Sequence, residues 1–240
     1  MTAITPSPSA ATTGSPGRVP AGPVTQGCVI RSEWIKLRSL RSTVALLVLA
    51  VALLISIGLV AAAVTNWNTM DAAGRASFDP IGISTRGVYF AGFTLSVLGV
   101  LVIAGEYSTG AIRATLCAVP RRLPVLWAKI AVFAPLVFVL TLAGSFAAFL
   151  GSQAMLGSHG VSLAAPGATR AVLGAALFLT VMGLLGLAFG FLTRSTAGGI
   201  AAVIGLTFVL PDSGGLVPRQ WQPRVVPYLP MQAGQAVFTA

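Results

Sequence analysis

Five charged side chains, Glu106, Arg113, Arg121, Arg122 and Lys129, lie in the stretch GEYSTGAIRATLCAVPRRLPVLWAK over residues 105–129, between apolar runs at 88–104 and 130–150. A carboxylate and several guanidinium groups beside membrane-length segments suit ion pairing and docking against a charged partner, not bond making. Ser108 or Thr109 can cap a short helix in which Ile112, Leu116 and Val119 share one face at helical spacing. Pro120 ends it, because the residue before a proline is pushed out of the helical region, and Pro124 suits the opening of the next helix. The pattern predicts a short amphipathic helix held at a membrane surface between two spans, a shape fit to receive force from a soluble protein.

Residue types that would carry catalysis do not come together in this sequence. No GxxxxGK[ST] occurs, so ATP is not bound through a P-loop. His159 is the only histidine and sits in GSHG, without the HExxH of a zinc protease. Ser56, Ser96 and Ser145 fall inside apolar runs with no Lys or His base beside them, which an intramembrane serine protease would need. No apolar run carries a charge at mid-depth, which argues against a proton- or sodium-coupled carrier. The expectation is a non-enzyme with no cofactor and no metal of its own, driven from outside the chain.

The elements that position those residues follow from composition. Of 240 residues, 55% are hydrophobic and 8% charged. A soluble domain carries about a quarter charged residues, so the class is an all-α polytopic membrane protein. Strands of a membrane barrel would alternate polar and apolar, whereas these runs are apolar on every face. Spans are expected at about 43–65, 87–104, 125–150, 171–192 and 197–210, the last short for a full crossing. Residues 1–27, rich in Pro, Ser, Thr, Ala and Gly, read as a disordered tail, and no apolar core follows a short basic start as in a signal peptide. Residues 29–41, VIRSEWIKLRSLR, read as a basic helix lying in the membrane interface, with Ile30, Trp34, Leu37 and Leu40 on one face and Glu33 spoiling the stripe. A plain juxtamembrane basic cluster is the other reading of that segment.

Lys and Arg set the orientation. Ten fall in the tail and the connections after the second and fourth spans, and five in the intervening segments. The N-terminus and the 105–124 loop are therefore expected in the cytoplasm, and 66–86, 151–170 and 211–240 outside. Basic residues scattered at span ends encode topology and do not track a nucleic acid, despite a net charge of +10. Cys28 and Cys117 both fall on the expected inner side, where a disulfide is not expected. Gly183, Gly186 and Gly190, and Gly144, Ala147, Ala148 and Gly151, supply small-residue faces for intramolecular packing or a dimer seam.

GEYSTGAIRATLCAVPRR, with VIRSEWIKLRSLRS before the first span and FLTRSTAGGIAAVIGLTFVLP at the fourth-to-fifth hairpin, resembles the permease subunit of bacterial ABC-2 type exporters over roughly residues 28–240. Glu106, Tyr107, Gly110, Ile112 and Arg113 match the family's E-Y-x-x-G-x-I-R pattern, and Pro120, Arg121 and Arg122 the P-R-R that follows. The resemblance implies six helices forming half of a dimeric membrane domain in the bacterial plasma membrane, paired with a second permease subunit. It also implies a separate ATPase subunit, holding ATP and Mg, docked against the entry helix (Trp34, Lys36, Arg38) and the loop, with Leu116 inserting beside Ile112. Glu106 would then stabilise the turn or pair with Arg113 or Arg122. Arg121, Arg122 and Lys129 either join this contact or only hold the loop inside and snorkel to headgroups.

The sequence departs from the family after the fifth apolar run, where 211–240 shows no sixth. A truncated product and a five-span variant both fit, with Trp221 and Tyr228 among prolines suggesting a partly embedded outer elbow. The leading functional expectation is an exporter permease moving a hydrophobic or amphipathic compound outward. The alternative is a non-transporting membrane protein, such as a sensor-associated or immunity component or an inactive permease.

Overall fold

Backbone groups inside a bilayer have no water to bond, so an apolar chain crossing it must close its hydrogen bonds within each segment. This chain does so as helices. The computed structural model describes residues 25–108, 110, 122–210 and 228–238, and no strand occurs among them. Helix α1 (Gln26–Ser39) leads into α2 (Arg41–Val64) across the single residue Leu40, whose extended backbone (φ −77°, ψ 105°) turns the chain. A 3-10 turn (Trp67–Thr69), α3 (Ala72–Ala76) and α4 (Pro80–Thr85) connect to α5 (Val88–Ser108). Then come α6 (Arg122–Leu156), a 3-10 turn (Gly157–His159), α7 (Ala168–Thr193), α8 (Thr196–Ile204) with a π turn continuing it (Gly205–Val209), and α9 (Pro230–Phe238).

Four stretches are long and apolar enough to cross a membrane: Arg41–Val64, Pro80–Tyr107, Val125–His159 and Ala168–Thr193. They take the places of the first four expected spans, and the molecule is a membrane-spanning helical bundle. The fifth run, expected to be short for a full crossing, is helical over the described residues. Thr196–Val209 is a shorter apolar helix, reaching about 21 Å at 1.5 Å per residue against a hydrocarbon core of ~30 Å. The expected hairpin between α7 and α8 is present: Arg194 takes a left-handed conformation (φ 52°) and the Gly198 N–H donates to Ser195 Oγ at 3.3 Å.

Glycines set how closely the spans approach. A Cβ on Gly186 would overlap the Ser96 carbonyl, and one on Gly99 the Gly183 carbonyl, so α5 and α7 meet backbone to backbone. Gly144 and Gly151 of α6 instead make room for the side chains of Leu54 and Leu59 of α2. The small-residue faces thus serve packing within the chain. Around these seams Leu54, Leu95, Leu98, Phe133, Leu179 and Met182 form one buried core.

The two ends of the bundle differ. At the end opposite α1, the segments expected as loops carry structure. Asp71 and Asp79 cap α3 and α4, Asp79 Oδ1 accepting from the Ile81 and Gly82 N–H groups at 3.0 and 2.9 Å. Helix α6 runs past the expected end at 150 because Gln153 is buried there. Its Nε2 donates to Pro80 O and Ser84 Oγ at 2.8 and 2.9 Å, and its Oε1 accepts from the Val161 N–H. Helix α9 folds back onto this end, with Phe238 against Phe178 and Tyr89 and Gln235 Nε2 donating to the Tyr89 hydroxyl at 3.0 Å. At the other end lie α1, the C-terminus of α5, the N-terminus of α6 and the Arg194 turn. Helix α1 starts at Gln26, slightly inside the expected tail; residues 1–24, like 211–227, are outside those described.

Candidate functional site

The chain has two lysines, Lys36 and Lys129, and two glutamates, Glu33 and Glu106, and folding brings all four together at the α1 end. Glu33 and Lys36 stand one helical turn apart on α1, Glu106 in the last turn of α5, and Lys129 two turns into α6. Lys129 Nζ donates to Glu33 Oε2 at 2.5 Å and to Glu106 Oε1 at 2.8 Å. Lys36 Nζ donates to Glu33 Oε1 at 2.7 Å and to Glu106 Oε1 at 3.1 Å. Each lysine therefore holds both carboxylates, and two charges of each sign balance.

Burial separates the members. Lys129 and Glu33 are 3% and 2% exposed and Glu106 12%, while Lys36 reaches solvent at 36%. Partial burial alone would lower the Lys36 ammonium. The hydrogen bond and charge of Glu33, then those of Glu106, outweigh it and leave Lys36 above its ordinary value. Glu106 Oε2 is buried and has no hydrogen-bond partner among the described residues.

The local sequence explains why α1 faces this way. Its inward stripe is Val29, Glu33 and Leu37 at i, i+4, i+8, while Trp34 is 45% exposed and Ile30 also points out. The face expected to be apolar, Ile30–Trp34–Leu37–Leu40, is thus corrected by about one residue's rotation. Glu33 is the centre of the packed face, because Lys129 waits for it there. Trp34 and Arg38 instead line an apolar groove of about 610 Å³ with Val44 and Val48 of α2 and Leu136 and Leu140 of α6. Lys129 does not snorkel to headgroups, since both glutamates hold it inside.

The other expected docking residues divide as follows. Tyr107 packs against the main core, and Gly110 has φ +72°, the left-handed turn that glycine permits without strain. Glu106 pairs with Lys36 and Lys129; Arg113 and the Arg122 side chain, the partners expected for it, lie outside the described residues. Arg122 opens α6. Ile112, Arg113, Leu116, Pro120 and Arg121 lie outside the described residues. Sequence reasoning missed Glu33 and Lys129. The available signal was rarity: the chain has only two lysines, Lys36 and Lys129, and only two glutamates, Glu33 and Glu106.

The arrangement is a clamp. It fastens the entry helix to the two spans that flank residues 109–121, so α1, α5 and α6 cannot separate there without exposing buried charge. Comparison with protein-family models, with curated proteins and with solved structures finds no match to this chain.

Proposed function

We propose that this chain is the membrane-spanning permease subunit of an ATP-binding cassette exporter, driven by a separate ATPase that carries ATP and Mg and paired with a second permease subunit. The observation that carries this reading is the four-residue clamp. A push on the 109–121 connection would be delivered through Glu106 and Lys129 to α1, α5 and α6 together, which is what a chain without a motor needs. In this reading α1 and the connection face the cytoplasm of a bacterial cell. Trp34, Lys36, Arg38, Gly110, Ile112, Arg113, Leu116, Pro120, Arg121 and Arg122 form or border the docking surface.

Co-purification from membranes with the ATPase encoded beside it tests the proposal. Retention of a P-loop protein is the expected result. Glu106→Ala should weaken ATPase coupling more than membrane insertion, and absence of any bound ATPase from intact membranes would contradict the reading.

A further inference from the structure

The groove of about 610 Å³ between α1, α2 and α6 has polar chemistry at one end only. Of its lining residues Trp34 and Arg38 of α1 carry polar groups, and every other one is aliphatic. Its wall on α2 starts at Val44, beside the turn from α1, and ends at Ile55, about 16 Å further along the helix. That is the depth of one leaflet of a ~30 Å hydrocarbon core. A spanning helix of a second copy would need a groove through both leaflets, whereas a lipid chain needs one.

Charge selects the head of that lipid. Arg31, Arg38 and Arg41 are exposed at this end, and among the described residues none of them pairs with a carboxylate. Both glutamates here are already held by the lysines of the clamp. An arginine can hold a phosphate through two parallel hydrogen bonds while its methylene stem lies along apolar surface. Trp34, 45% exposed, adds an amphipathic ring of the kind that settles at headgroup depth. Two copies related by a two-fold axis through this face would set Arg38 against Arg38, and like charges repel.

We infer that the groove holds one anionic phospholipid, an acyl chain along α2 and the phosphate against the Arg38 guanidinium. The inference needs no ATPase partner, so it and the proposed function fail separately.

The test uses the full chain alone in phosphatidylcholine nanodiscs. The probes are phosphatidylglycerol and phosphatidylcholine carrying the same diazirine-bearing acyl chain, each at the same low mole fraction. Peptide mapping should place the photoproduct within 44–55 and 136–140. Phosphatidylglycerol should label these peptides about fivefold more than phosphatidylcholine, one basic residue's share at a lipid surface. Arg38→Gln should bring that ratio close to one. Val48→Trp fills the groove from an exposed position, leaves Arg38 in place, and should abolish labelling of 51–55 by both probes. Equal labelling by the two probes, or a ratio unchanged in Arg38→Gln, would overturn the inference. So would cross-links between two chains at 44–55 with no lipid adduct there, which would assign the groove to a second copy. If Arg38→Gln does not fold, the ratio on the unaltered protein decides by itself.

Discussion

An ammonium held at 3% exposure, as Lys129 is, persists only with counter-charges hydrogen-bonded to it. Removing one member of such a group strands the others, whereas removing a pair of opposite sign does not. Lys129→Met or Glu33→Gln alone is therefore expected to destabilise the fold by about 3–5 kcal/mol. Glu33→Leu with Lys129→Met leaves the Lys36–Glu106 pair intact and should recover most of the loss in thermal unfolding in detergent. A double variant as unstable as the two single effects added would show that the charges stabilise beyond mutual compensation. Lys36 gives a pH signature. It binds its proton more tightly folded than unfolded, so its contribution is complete below the ordinary lysine value of 10.5 and is lost as pH rises through the higher folded value. The stability gap between the wild type and Lys36→Met should hold up to about pH 10 and close above it. The clamp was half legible in the sequence. Glu106 stood out beside its arginines, but Glu33 read as a defect in an apolar stripe, because its partner Lys129 is 96 residues away. No local pattern reports such a contact.

At the scale of elements, glycine positions decide how spans meet. Gly186→Ala puts a methyl group onto the Ser96 carbonyl, a backbone atom that cannot swing aside, and should cost about 1–3 kcal/mol by forcing α7 off α5. Gly205→Ala meets nothing within 4 Å and should leave the melting temperature unchanged or slightly raised. Equal tolerance of both changes would argue that the seam is looser than described. The four spans were legible because residues apolar on every face leave no other fate in a membrane-rich composition. The length of α6 was not. Gln153 looks like a loop residue until α4 supplies Pro80 O and Ser84 Oγ as partners. The fifth run was legible as a short apolar segment, and Phe208 packs it edge to face on Phe93 of α5 at 5.5 Å. The stripe of α1 misled, because it was assigned by hydrophobicity when ion pairing chose the face that packs.

Taken whole, the bundle has a charged, clamped end and an end stapled by Gln153, the capped short helices and α9. Force entering at the clamped end has a continuous route, because α5 bears on α7 through the glycine seam and α2 on α6 through Gly144 and Gly151. The central claim is that a cytosolic ATPase grips the connection between α5 and α6. The direct measurement is photocross-linking in intact membranes from a photoreactive residue placed at Ile112, with Ser158 at the opposite end as the comparison. The account predicts a covalent adduct between position 112 and a P-loop ATPase, and none from position 158. An adduct from 158 alone, or no ATPase captured from 112 in membranes where the chain is fully inserted, would contradict it.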